Sequence, residues 1–262
     1  MLKTRAITAV ISLLGLGAVL FVIPATIAEL VIAALILAGA WEWSGFLGLS
    51  GDMGRNIFVA LIMALMAAMI FVFQDQSNLL LGAACVWWFV AFVWTFFFPT
   101  PIPRAVRWIC GALVLVPMFV ALIMLYRLGS EVLLFALMIV WAADVGAYFA
   151  GSKFGRVKLA PSISPGKTWE GVIGGLAVVV LLSLAWSSYR DMQLAVLLPF
   201  CLSVGALSIV GDLTVSMFKR TAGVKDSGKL FPGHGGVMDR IDSVAAAAPL
   251  FALGLGWLGL VW

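Results

Sequence analysis

The stretch SMFKRTAGVKDSGKLFPGHGGVMDRID, Ser216 to Asp242, joins two long apolar runs. Lys219, Arg220, Lys225, Asp226, Lys229, His234, Asp239, Arg240 and Asp242 crowd into it, in a chain that is otherwise mostly apolar. Ionisable groups beside membrane spans are expensive to hold there, so their first reading is a functional site. The runs on either side decide the fold, because each is long enough to cross a bilayer.

A transmembrane helix needs about 20 mostly apolar residues. Working outward, the segments that qualify are 6–23, 25–49, 57–73, 79–98, 106–126, 131–150, 170–188, 193–215 and 244–262. Composition agrees: the chain is 64% hydrophobic and 11% charged, whereas a soluble domain is about a quarter charged. The sequence predicts an all-α polytopic membrane protein of about nine transmembrane helices with a cytoplasm-facing polar site. It reads as a single domain over 1–262, with N-terminal spans in 1–105 and the signature-bearing spans in 106–262. Lys3 and Arg5 precede the apolar run Ala6–Ile23, which is long against a signal-peptide core of about 7–15 residues. A retained first span is expected, and Pro24 leaves open a tight hairpin over 1–49 that does not fully cross. Cys85, Cys110 and Cys201 lie in apolar runs without paired spacing, as small packing residues do.

With nine spans, one side receives the N-terminus and the loops near 52–55, 99–105, 151–169 and 216–242. Of the 16 lysines and arginines, only Arg127 and Arg190 fall on the other side. The positive-inside rule then places the N-terminus and the charged loops in the cytoplasm, as expected for a multi-pass protein of the cytoplasmic (inner) membrane. The same rule accounts for the basic excess without nucleic acid.

Three polar clusters share that face. Asp144, in WAADVGAYFAG, sits about 9 Å inside the end of the sixth span at 1.5 Å per residue. The next loop carries Lys153, Arg156, Lys158 and SPGKTWEG, with Ser164, Lys167, Thr168 and Glu170. The third cluster opens at Asp212, whose spacing to Ser216 and Lys219 places all three on one helix face. Asp239 and Asp242 share a face at the start of the ninth span, where helix capping is the bland reading. Capping does not explain Asp144 and Asp212, which lie within apolar runs. Uncompensated buried carboxylates are disfavoured, so the cluster suggests a cation, and oxygen ligands favour a hard ion such as magnesium. The basic groups suit phosphates, and Gly223, Gly228, Gly233, Gly235 and Gly236 allow close backbone approach. An ion-pair network holding spans together is the structural alternative. His234, the single histidine, cannot build a zinc site and suits a phosphate contact or a turn. GKT at 166–168 is not a P-loop, because Pro161 stands where that motif needs glycine. Glu42, inside the second span, reads equally as a partner for an arginine or as a site residue. The tryptophans Trp41, Trp43, Trp87, Trp88 and Trp94 read as packing or interface anchors.

The 216–242 stretch resembles, along its length, the signature of the phosphatidate cytidylyltransferases, or CDP-diacylglycerol synthases. The matching positions are Ser216, Lys219, Arg220, Lys225, Asp226, Pro232, His234, Gly235, Gly236, Asp239, Arg240 and Asp242. SPGKTWEG, the Asp144 segment and Gly211-Asp212 are similar to the family's habits as well, so the resemblance covers roughly 130–262. It implies a magnesium-dependent integral membrane enzyme that takes CTP and phosphatidate to CDP-diacylglycerol and pyrophosphate. By that resemblance the metal falls to Asp212 and Asp239, with Asp144 and Asp242 as further ligands and room for a second cation. Asp212, Asp239, Lys219 and Lys225 are the catalytic candidates. Lys219, Arg220, Lys225 and Lys229 would hold substrate phosphates. Ser164, Lys167 and Thr168 would close the site, and Ser216, His234 and Arg240 complete the substrate-binding set. Partners are CTP, phosphatidate and membrane lipid; a homodimer is left open. Two competing readings are a CTP-dependent lipid (polyprenol-type) kinase, which would release CDP, and a cation-coupled transporter. Transporters often show two related halves, whereas charge here concentrates in the C-terminal half.

Overall fold

The computed structural model describes residues 2–49, 51–228, 230 and 235–259, with the side chains of 2–9 left aside. Among them, the helices in chain order are α1 (Leu2–Phe21), α2 (Ala25–Ser44), α3 (Asp52–Phe71), α4 (Ser77–Thr95), α5 (Arg104–Leu128), α6 (Ser130–Phe154), α7 (Trp169–Arg190), α8 (Leu194–Thr221) and α9 (Met238–Trp257). Two short strands, β1 (Lys158–Ala160) and β2 (Ser164–Thr168), form an antiparallel hairpin between α6 and α7. The chain is an all-α polytopic membrane protein, as the apolar periodicity requires. Large apolar side chains such as Leu14, Phe71, Phe89, Ile173 and Leu181 cover the outside of the bundle, the surface that lipid would meet.

Helices α2 to α8 are each long and apolar enough to cross a membrane. Of the about nine transmembrane helices expected, α1 enters only as the shorter apolar stretch Val10–Phe21 among the described residues, and α9 needs a refinement. Helix α9 is not apolar enough by composition, because it opens with Asp239, Arg240 and Asp242 and continues through alanines and glycines. It is nevertheless the most enclosed element, packed against α2, α4, α5, α6 and α8, with Asp242 to Pro249 buried without a break. A helix solvated by protein on all sides needs small, closely packing side chains rather than greasy ones. Gly211 of α8 provides such an approach, since a Cβ there would come within 2.9 Å of Ala246 Cβ.

The α6–α7 pair shows the same device. A Cβ on Gly146 would stand 2.7 Å from the Gly174 carbonyl oxygen, and one on Gly175 would stand 2.5 Å from that of Ala143. The two backbones therefore touch, and the hairpin between them is held in one place. Thr168 caps α7 by accepting from the Gly171 N–H at 3.1 Å, and the Glu170 carboxylate accepts from the Val157 N–H at 3.1 Å. The hairpin was not expected; the sequence reads there as loop. Both flanking helices also overrun their expected ends. Because α6 continues to Phe154, Asp144 lies about 15 Å from the helix terminus rather than 9 Å.

Contacts at the two ends of the bundle sort the chain cleanly. At one end, Arg107 donates to the Phe46 carbonyl, Arg220 to the Ile163 carbonyl, and the Trp43 and Phe218 rings lie 4.9 Å apart. At the other, Arg127 pairs with Glu29 at 2.7 Å and Arg190 with Glu131 at 2.8 Å. Helix α2 runs from Glu29 near one end of the bundle to Glu42 near the other. Cys110 and Cys201 are buried and Cys85 half-buried, all as free thiols.

Replacing Gly175 by leucine should therefore lower the melting temperature of the detergent-solubilised protein, since overpacking costs about 1–3 kcal/mol. Gly82→Leu on α4, where nothing lies within 4 Å of a Cβ, should leave it near the parent value. Equal melting of both variants would show that α6 and α7 do not depend on this contact.

Candidate active site

Three elements converge at the end of the bundle that carries the basic loops. Strand β2 brings Lys167, the last turns of α8 bring Asp212, Ser216 and Lys219, and the first turn of α9 brings Asp239 and Asp242. Because α8 stays helical to Thr221, the spacing of Asp212, Ser216 and Lys219 does place them on one face. Ser216 Oγ donates to Asp212 Oδ1 at 3.0 Å, and Lys167 Nζ reaches Asp212 Oδ2 at 2.7 Å. Lys219 Nζ donates to Asp239 Oδ1 at 2.8 Å and stands 3.7 Å from Asp242 Oδ2. The result is a chain of alternating sign, Lys167–Asp212, then Lys219–Asp239 and Asp242, crossing from the hairpin through α8 to α9.

Asp144 joins from α6. It faces the charges of Asp212, Lys167 and Arg240 and is the exposed member of the set. Asp212 also faces Asp242, which is 6% exposed. Asp212 and Asp242 act on each other as like charges, and the lysines beside them offset this. Asp242 Oδ1 accepts from the Ser243 N–H at 2.9 Å.

The loop between α8 and α9 is tied at Ser227 and at its junction with α9. Asp239 Oδ2 accepts from the backbone N–H groups of Ser227 and Gly236, both at 2.9 Å. Glu42 reaches in from α2. It accepts from Ser227 Oγ at 2.7 Å, from the Val237 N–H at 2.9 Å and from the Met238 N–H at 2.8 Å. Gly228 and Gly236 both press on this carboxylate so closely that a Cβ at either would clash with it. Of the two readings left open for Glu42, the partner is therefore not an arginine but the loop itself. Its isolation in an apolar run was the available signal; the identity of a partner more than 180 residues away was not.

Other expected residues fall as follows. Ser164 and Thr168 lie on β2, where Thr168 is buried as the helix cap. Arg220 donates to the Ile163 carbonyl at 3.0 Å, pinning the hairpin to α8. Arg240 is exposed beside Asp144, and Lys225 and Asp226 are exposed on the loop. Lys229 and His234 lie outside the described residues. Among the described residues, no three Asp, Glu, His or Cys side chains stand together as a ready-made metal cage.

The site is thus a set of lysine–aspartate pairs gathered at one end of an all-α membrane bundle. Comparison with known proteins supplies the family. The model described as the cytidylyltransferase family matches residues 3–257, and the chain belongs to that family. It is 43% identical over 270 residues to a phosphatidate cytidylyltransferase of Pseudomonas aeruginosa, covering 98% of this chain and 99% of the relative. It is 35% identical over 285 residues to the protein of that name in Haemophilus influenzae, covering 96% and 98%. To the one in Staphylococcus aureus it is 46% identical over 124 residues, 47% of this chain and 48% of the relative.

Lys219 has two carboxylates to itself in a buried setting, whereas Lys167 is part-exposed. Lys219→Met should lower stability by about 3–5 kcal/mol, the penalty for stranding a buried charge. Lys167→Met should lower it less, because exposed pairs contribute about 0–1 kcal/mol. Melting curves in detergent test the order; a reversed order would mean that Lys167 carries the structural load.

Proposed function

We propose that this protein transfers a cytidylyl group from CTP to phosphatidate, giving CDP-diacylglycerol and pyrophosphate for phospholipid synthesis. The carrying observation is the alternating lysine–aspartate chain at one end of a membrane-spanning bundle whose full length resembles named phosphatidate cytidylyltransferases. Phosphatidate brings its own anionic nucleophile, so no strong general base is required. Its phosphate oxygen attacks the α-phosphorus of CTP, the bond to the bridging oxygen breaks, and pyrophosphate leaves. Catalysis is then positioning and charge neutralisation. Lys167 and Lys219 now neutralise carboxylates; with substrate present their ammonium groups are placed to meet phosphate oxygens. Lys225, Lys229, Ser164, Ser216, Arg220, His234 and Arg240 are assigned to the phosphates, and Thr168 to holding the hairpin that presents Lys167.

The site's donors suit magnesium. They are carboxylate oxygens, with Asp144 exposed to a ligand, and magnesium commonly uses only one or two carboxylates together with substrate phosphates. Asp212 and Asp239 would hold it, with Asp144 and Asp242 supporting or holding a second cation. Bound there, it would supply positive charge to the phosphates during transfer.

The bundle end carrying the site is assigned to the cytoplasm, in the inner membrane. Of the 16 lysines and arginines, only Arg127 and Arg190 stand at the opposite end, which supports this orientation. Single cysteines at 100–105, 152–165 and 221–228 should be labelled from the cytoplasm, and those at 127–130 and 189–192 from the other side. A far-side 221–228 loop would overturn the assignment.

Purified protein given phosphatidate, labelled CTP and magnesium should yield a cytidylated lipid and pyrophosphate, and chelation should stop it. Release of CDP instead would indicate a lipid kinase. In that assay Asp239→Asn should lose about 3–4 kcal/mol of transition-state stabilisation, several hundredfold in rate. Near-parental turnover would move the metal site elsewhere.

A further inference from the structure

Glu42 stands apart from the lysine–aspartate chain, yet it makes as many hydrogen bonds as any side chain near the site. Its carboxylate joins Ser227, within the signature loop, to the loop's end at Val237 and Met238. Asp239 joins the same two places from the other side, through the N–H groups of Ser227 and Gly236. Ser227 is shared: its N–H serves Asp239 and its hydroxyl serves Glu42. The backbone donors of Val237 and Met238 are the unsatisfied first N–H groups of α9, and a carboxylate there is favoured by charge as well as by hydrogen bonding. Glu42 is anchored in turn by its neighbour Trp43, whose indole N–H donates to the Arg107 carbonyl at 3.1 Å and whose ring is fully buried. The carboxylate therefore comes from a fixed point on α2, and it holds a loop that must otherwise find its own shape.

We propose that Glu42 is a positioning residue for the transfer reaction: it clasps Ser227 of the signature loop to the start of α9 and so sets Asp239 against Lys219. The glycines at 228 and 236 belong to the same device, because only a residue without a side chain leaves room for the carboxylate. Glu42 touches neither substrate in this scheme and acts through the loop. The proposal rests on the cytidylyltransferase reading for its activity readout, but the clasp itself is measurable without turnover.

The test uses purified full-length protein and the variants Glu42→Gln, Gly228→Ala and the double variant. Glutamine keeps the shape but offers one acceptor oxygen instead of two, so it cannot serve Ser227 and both N–H groups. Amide exchange measured by mass spectrometry over 224–241 should quicken in Glu42→Gln, while exchange in α6 and α7 stays as in the parent. The kcat for cytidylyl transfer should fall about 10- to 100-fold, the range for removing an outer partner that orients site residues, in protein that still folds. Gly228→Ala should do the same by displacing the carboxylate, and the double variant should be no worse than the poorer single one. Additive losses, or a lowered melting temperature with parental kcat, would reduce Glu42 to a packing role and overturn the proposal. Parental exchange over 224–241 in both single variants would overturn it as well. If the parent protein makes no cytidylated lipid, the functional reading fails on its own, and the exchange result still decides whether the clasp exists.

Discussion

A buried ammonium between two buried carboxylates is the interaction on which the rest depends. Lys219 ends α8 and Asp239 and Asp242 begin α9, so their pairing closes two core helices at the same point where the site lies. Removing Lys219 would leave two carboxylates without their shared counter-charge in a poor solvent for charge. Elements further out are arranged around that closure. The hairpin supplies Lys167 to the next carboxylate in the chain, and α6 supplies Asp144 beside it.

Packing explains why these groups can come so near. Charged residues approach only if their backbones do, and the glycines of α6, α7 and α8 remove the side chains that would keep them apart. Arg220 and Glu170 then fix the hairpin by bonding to backbone rather than to carboxylates, which leaves the acidic groups to the lysines. Polar groups in this region thus divide into those that shape the backbone and those that balance charge.

Much of this was legible in the chain itself. Apolar run lengths were enough for the helices, and the placement of arginines was enough to pair the loops at one end, because both signals are local. The shared face of Asp212, Ser216 and Lys219 followed from helical spacing alone. The hairpin was missed because three- and five-residue strands carry too little alternation to read. Helix ends were misjudged because charged residues such as Lys153 and Lys219 continue a helix as readily as apolar ones. The special standing of α9 was invisible because enclosure is a property of neighbours, not of sequence. Glu42 illustrates the same limit at the site: an acidic residue in an apolar run announces itself, but its partner does not.

The central position of α9 has a consequence for biogenesis. It is made after α1 to α8, yet it touches five of them. Until it emerges from the ribosome, the bundle lacks its middle, and Lys219 lacks both of its counter-charges. The helix that is least able to partition into lipid by itself is therefore the one for which a cavity has already been prepared. Insertion of α9 is then closer to docking a ligand into a receptor than to adding another span, with the charge pair at its first turn serving as the depth stop.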